Sequence, residues 1–195
     1  MTIQFYQDNA QRFYEDTVNV DVSSIYDRFL KYLPAKGHIL DAGCGSGRDS
    51  LYLKNAGFNV SAIDASSNMV KLAAELTGLP VQQCYFEDIT ETNKYDGLWC
   101  CASLLHVPET DLPMIFKKLI ASLKEGGYWY LSFKFGETQR IKDGRLFTDM
   151  NQIRLANLLA LFPELKNVED WVTEDLRANR TEKWLNVILK KVAVA

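Results

Sequence analysis

The chain has no CxxC pair and no zinc-ligand spacing. Its four cysteines are Cys44, Cys84, Cys100 and Cys101, mostly in or beside apolar strand-like runs. The plain reading is buried, reduced thiols in a cytosolic protein, not a disulfide framework. No apolar run approaches the ~20 residues that span a bilayer. The N-terminal stretch MTIQFYQDNAQRFYED lacks the apolar core of a secretory signal, so the expected location is cytoplasmic. Basic residues are not in excess: 22 Lys and Arg stand against 25 Asp and Glu, for a net charge of −3. That argues against a dominant electrostatic grip on nucleic acid. Repeats and low-complexity tracts are missing too. What is present, 47% hydrophobic and 24% charged over 195 residues, suits one soluble domain with a substantial core.

One stretch organises the rest, HILDAGCGSGRDSLYLKNAGFNVSAIDAS, from His38 to Ser66. It reads as a strand (His38 to Ala42), a turn with glycine at 43, 45 and 47, and a helix from Arg48 to Asn55 stopped at Ala56-Gly57. A second strand, Phe58 to Ile63, delivers Asp64 at its carboxyl end. This is a βαβ unit whose turn lets backbone approach a ligand closely.

Residues 1–33 carry helical spacing (Ile25, Phe29, Leu30, Leu33) and predict two helices ahead of the first strand. Past Ser66-Ser67 the pattern predicts a helix over Asn68–Thr77 and a third strand over Val81–Phe86. A fourth strand over Tyr95–Cys101, a helix over Glu109–Lys124 and a fifth strand over Tyr128–Phe133 follow. Residues 134–150 read as a long loop and Met150–Leu161 as a helix. Leu165–Thr173 and Lys183–Lys191 read as an antiparallel edge hairpin. The expected fold is α/β: a doubly wound, mainly parallel, seven-stranded sheet with an antiparallel C-terminal edge hairpin and N-terminal helices. It forms a single domain over 1–195, with N-terminal helices to 36, a core over 37–133 and substrate-side elements over 134–195.

The glycine spacing is G-x-G-x-G, not the G-x-G-x-x-G of dinucleotide sites, and no P-loop lysine follows. With Asp41 before it, the turn suits a ligand with an amino acid moiety: the carboxylate for an ammonium, the backbone amides for a carboxylate. Asp64 is placed to take both ribose hydroxyls. Asp88, with the backbone amide of Ile89, is placed to read the edge of an adenine; the alternative is a solvated loop acid. His106 lies just past the fourth strand, and an ordinary imidazole pKa of ~6.5 suits a general base; the alternative is a pocket-lining or helix-capping role. His38, at the opposite end of the sheet, reads as structural. Lys134, Arg140, Lys142, Arg145, Arg154, Arg177 and Arg180 fall in or near loops on the substrate side, where arginine forks favour an anionic acceptor, or else form a solvated face. Trp171 and Trp184 read as edge-strand core residues.

The segments LDAGCGSGRDS, VSAIDASSNMV, FEDI, YDGLWCCASLLHVP and LKEGGYWYLSF, in this order, resemble the motif series of class I S-adenosylmethionine-dependent methyltransferases. The GRDSLYL run is similar to the tellurite-resistance-type, small-molecule branch of that family. The resemblance implies a Rossmann-like methyltransferase fold with S-adenosyl-L-methionine as cofactor and S-adenosyl-L-homocysteine as product. It implies that Asp41, Gly43 and Gly45 hold the methionine part, Asp64 binds the ribose, Ala65 and Met69 pack on adenine, and Asp88 and Ile89 read its edge. Cys101 and Ala102 would pass near the methionine moiety, and an N-terminal aromatic, Tyr14 or Tyr6, would close over the cofactor. The NPPY-type motif of many amino-group methylases is absent, since the fourth strand ends in CCASLLHVP. The expected enzyme transfers a methyl group to a small, possibly anionic acceptor, as a monomer or homodimer, with nucleic acid and membrane unlikely as partners. Alternatives are methylation of RNA or protein, a nicotinamide-dependent oxidoreductase on the same βαβ start, and a non-catalytic cofactor-binding module.

Overall fold

A computed structural model describes residues 2–177 and 180–193. Met1, Ala178, Asn179, Val194 and Ala195, which belong to the expected 1–195 domain, lie outside the described residues. The elements in chain order are α1 (Thr2–Asp8), α2 (Ala10–Thr17), α3 (Ser23–Leu30), β1 (His38–Ala42), α4 (Arg48–Asn55), β2 (Asn59–Asp64), α5 (Ser67–Thr77) and β3 (Gln82–Gln83). They continue with β4 (Tyr95–Cys100), α6 (Leu112–Ser122), β5 (Leu123–Lys134), β6 (Gln139–Lys142), β7 (Arg145–Thr148), α7 (Gln152–Leu159), β8 (Leu165–Glu174) and β9 (Lys183–Lys191). The main sheet has seven strands in the order β3-β2-β1-β4-β5-β9-β8. Pairing is parallel from β3 to β5 and antiparallel where β9 joins β5 and β8 joins β9. The doubly wound sheet with a reversed edge hairpin is the architecture expected from the sequence.

Alternation along the central strands separates the two faces. Ile39, Trp99, Tyr130 and Ile188 pack with Ile25, Tyr26 and Phe29 of α3 and Leu53 of α4. Leu40, Leu98, Cys100, Trp129 and Leu131 pack on the other face with Phe116 and Leu119 of α6 and Leu155 of α7. β1 is buried along nearly its whole length, as expected of a parallel strand covered on both sides. The strand order reverses between β1 and β4, so the carboxyl ends of these two strands open the crevice in which ligands of such sheets bind.

Several boundaries differ from expectation. Three helices, not two, precede β1, because the chain breaks at Asn9, whose side-chain amide donates to the Phe5 carbonyl at 2.9 Å. β3 is two residues long instead of six: its partner β2 ends at Asp64, and Phe86–Asp88 turn into a 3₁₀ helix. α6 starts at Leu112 rather than Glu109, whose amide is taken by the Gln139 side chain, and it ends where Leu123 pairs with Tyr95. The expected loop over 134–150 contains the hairpin β6–β7. Its turn is Asp143-Gly144, with φ of 50° and 73°, the backbone of a two-residue hairpin turn. Among the described residues, no helix is long and apolar enough to cross a membrane.

Candidate active site

A cavity of about 900 Å³ opens over the carboxyl ends of β1, β2 and β4. Its floor is the glycine loop. Gly43, Gly45 and Gly47 have φ of 83°, 53° and 80°, a backbone that side chains resist. They are not equivalent. A Cβ on Gly43 would sit 2.4 Å from Cβ of Ser103, and one on Gly47 would sit 2.9 Å from Cα of Ala73 on α5. Gly47 therefore keeps α4 and α5 close together, while Gly43 and Gly45 face the cavity. Ala102, at the end of β4, also has a positive φ, 53°, and its amide donates to the Ser132 hydroxyl at 2.9 Å. Such a strained residue at a ligand crevice marks a constrained site.

Asp64 faces the cavity from the end of β2. Its two oxygens accept from the Gly45 amide and the Ser66 amide, both at 2.9 Å. Burial raises its pKa, partly offset by those amides. The residues anticipated for a cofactor divide accordingly. Gly43, Gly45, Asp64, Ala65, Met69, Cys101 and Ala102 all line the cavity, as does His106. Asp41, Tyr14, Asp88 and Ile89 do not. Asp41 is buried beneath the loop and accepts from the Ser50 hydroxyl at 2.5 Å; burial, with ionised Asp49 nearby, pushes its pKa up to about 8. Neutral and enclosed, it supports the loop from below and does not line the cavity. Tyr14 follows Phe13 on α2 and so points about 100° away from it; Phe13 has the cavity side, 3.3 Å from the Cβ position of Gly45. Ile89 packs in the core, and its amide is spent on the Phe86 carbonyl at 3.3 Å. Asp88 is exposed on the outer side of the 3₁₀ turn, while Phe86 and Glu87 line the cavity.

A buried ion pair stands beside the floor. Asp49 accepts from Arg48 at 2.6 Å, from the Tyr26 hydroxyl at 2.6 Å and from the Trp99 indole at 2.8 Å. Burial alone would raise its pKa, but these donors, Arg48 first, hold it below the usual carboxylate range. The Cys101 thiol next to this pair is pushed up to about 12 by burial, so it stays protonated and unreactive.

The roof is α1. Its Gln7 caps the start of α5, accepting from the Ser66 hydroxyl and the Asn68 amide and donating to the Ser67 hydroxyl. On the other side, Thr2 accepts from the Leu146 amide at 2.9 Å. Between these anchors the Tyr6 hydroxyl meets His106 Nε2 at 2.7 Å. His106 Nδ1 lies 2.7 Å from the Leu146 carbonyl, which can only accept, so Nδ1 carries the proton and Tyr6 donates to Nε2. Burial drives the pKa of His106 down to about 4; Arg145 and Lys134 add to this, and the Leu146 carbonyl opposes it. Of the two roles open to His106, general base or pocket lining, this geometry favours the second, because its lone pair is occupied and its cation is disfavoured. Of the two N-terminal tyrosines considered, Tyr6 is the one at the site. Trp184, expected in the core, packs partly buried against it and also lines the cavity. His38 is structural, with Nε2 2.9 Å from the Ser61 hydroxyl and its ring edge-on to Tyr95.

A family model described as a methyltransferase domain matches residues 39–127, the span from β1 to the start of β5. That span, less than half of the chain, is similar to a methyltransferase domain. The chain is 27% identical over 195 residues to an uncharacterized methyltransferase of Staphylococcus carnosus, covering 91% of this chain and 94% of that protein. It is also 37% identical over 106 residues to a ubiquinone biosynthesis O-methyltransferase of Xanthomonas oryzae pv. oryzae, covering 50% of this chain and 43% of that one. The chain spans about half the length or less of other curated relatives it matches, including this one. The crystal structure of a 1,6-didemethyltoxoflavin-N1-methyltransferase of Burkholderia thailandensis, with 1,6-didemethyltoxoflavin and S-adenosylhomocysteine bound, superposes with a TM-score of 0.77 at 22% identity, covering 98% of this chain and 85% of that one. At that identity the likeness is one of fold, the Rossmann-like arrangement expected from the sequence.

Proposed function

We propose that the protein transfers the methyl group of S-adenosylmethionine to a small acceptor enclosed under α1. The observation that carries this is the cradle formed by Gly43, Gly45 and Asp64: two left-handed glycines facing the cavity, and a half-buried carboxylate pinned by backbone amides beside them. Bound there, the cofactor supplies an electrophilic sulfonium methyl, which passes to the acceptor's lone pair and leaves a neutral thioether. The protein's residues hold and enclose. Asp64 takes the ribose hydroxyls, Ala65, Met69 and Phe86 flank the adenine, and the loop amides meet the amino acid end. The strained Ala102 backbone brings the end of β4 against the reacting region. α1 keeps water out, and its Tyr6 is oriented by His106, which serves as a positioning group and not as a base. A volume of about 900 Å³ is near the upper end for one drug-sized ligand and suits a donor and a small acceptor together. The relationship of the GRDSLYL run to the tellurite-resistance-type branch belongs to this small-molecule reading.

The test is titration calorimetry with S-adenosylhomocysteine on the wild type and Asp64→Asn. Charge-assisted hydrogen bonds are worth roughly 1.5–3 kcal/mol each, so the variant is expected to bind on the order of 10- to 100-fold more weakly. Equal affinity would remove Asp64 from the cofactor site, and no binding to the wild type would remove the cofactor itself.

A further inference from the structure

The part of the cavity away from the glycine loop is walled by Phe5, Tyr6, Phe147 and Trp184, and it carries Arg145 on β7. Several cations line the cavity, and their states differ. Arg48 is neutralised by Asp49 at 2.6 Å, Lys134 by Glu182 at 2.5 Å and Arg177 by Asp175 at 2.5 Å. Among the described residues, Arg145 has only Asp143 as an ion-pair partner, at 3.9 Å on an exposed turn. Its Nε is buried and has no hydrogen-bond partner among the described residues. Its guanidinium lies 4.2 Å from the Phe5 ring centre and 5.2 Å from that of Phe147, two aromatic neighbours that leave its positive charge unmet, whereas an in-plane anionic acceptor would meet it. The remaining contact is with the Tyr6 oxygen, a neutral group, whose proton is already given to His106. A partly buried cation with an idle N–H is costly unless a bound anion completes it.

Resting on the methyl-transfer reading above, we propose that the acceptor is a planar aromatic or heteroaromatic oxyanion, an aromatic acid or ionised ring hydroxyl, whose charged oxygens are held by the edge of Arg145. Phe5, Phe147 and Trp184 take the ring, and the Arg145 fork takes the oxygens. Such an acceptor needs no base from the protein, in keeping with a His106 whose lone pair is occupied.

The experiment uses wild type, Arg145→Gln and Arg145→Lys, each saturated with S-adenosylhomocysteine. Calorimetry measures 4-hydroxybenzoate against 4-hydroxybenzamide, and indole-3-carboxylate against indole-3-carboxamide. The wild type is expected to prefer at least one acid over its amide by about tenfold or more, the size of one charge-assisted hydrogen bond. Arg145→Gln is expected to lose that preference with S-adenosylhomocysteine affinity unchanged. Arg145→Lys, which keeps the charge without the fork, retains a reduced preference and decides the matter if the glutamine variant does not fold. Acid and amide bound alike by the wild type, including neither bound, would overturn the proposal, as would an undiminished preference in the variants. Loss of S-adenosylhomocysteine binding by the wild type would instead overturn the methyl-donor reading, and the acid preference would then be read on the free protein.

Discussion

Lowering the pH should loosen α1, and His106 should be the trigger. In the closed structure its imidazole is neutral, with Nδ1–H given to Leu146 and Nε2 taken by Tyr6. Three groups face it: Tyr6 from α1, Arg145 from β7 and Lys134 from β5, and the two cations oppose its protonation. An exposed histidine takes its proton near 6.5, whereas this one does so only near about 4. The closed state therefore binds fewer protons than any state in which His106 meets water. The stabilisation is complete above 6.5 and is lost as the pH falls toward 4. At about 1.36 kcal/mol per pH unit, the loss is about 2 kcal/mol by pH 5 and on the order of 3 kcal/mol in full. Two kilocalories shift the open-to-closed ratio ~30-fold.

Two measurements check this. The chain has two histidines, so a proton NMR titration of the imidazole resonances, assigned with a His38→Asn variant, should find one group titrating near 4. Denaturant unfolding at pH 7 and pH 5 should then show the wild type losing about 2 kcal/mol more than His106→Asn. His38 also has a depressed pKa, from burial first, but it is common to both proteins and cancels. A His106 titration near 6.5, or equal pH sensitivity in the variant, would refute the neutral, Tyr6-bonded imidazole.

Tyr6→Phe leaves Nε2 buried without a donor, which costs about 1–3 kcal/mol; residues 2–17 should then be cut faster by a dilute protease, and an unchanged rate would show that the bond does not hold α1 down. Gly43→Ala meets both a φ of 83° and a contact of 2.4 Å with Ser103, so a loss of roughly 2–5 kcal/mol in denaturant unfolding is expected, and an unaffected midpoint would contradict the loop geometry. Asp41 holds its proton up to about 8, so the wild type loses stability as the pH rises from the ordinary carboxylate range through 8. Asp41→Asn should flatten that decline and keep its affinity for S-adenosylhomocysteine; a variant that folds but no longer binds would return Asp41 to the ligand site.

The sequence located the floor of this site better than its roof, for a physical reason. Gly43, Gly45 and Asp64 lie within one βαβ unit, where spacing along the chain fixes spacing in space. The roof is assembled across long separations: Tyr6 meets His106 one hundred positions away, and Gln7 caps a helix that begins sixty positions later. No local pattern carries that information. The hairpin bearing Arg145 is a different case, since Asp143-Gly144 between RIK and RLF is a strong two-residue hairpin signal. Reading 134–150 as a loop left Arg145 as one charge among several, with nothing to separate it from Arg140 or Arg177. Only the strand pairing turns its side chain toward Phe5, and only the carboxylates beside the other two cations show that their charge is already met. Asp41 and Asp64 show the complementary limit. Both are acids at the carboxyl ends of adjacent parallel strands, and their motif positions suggest similar duties. Ser50 on α4 covers one, and the cavity opens over the other. The difference between a supporting acid and a ligand-holding acid therefore lies in what the next helix places above each, a tertiary fact with no counterpart in residue spacing.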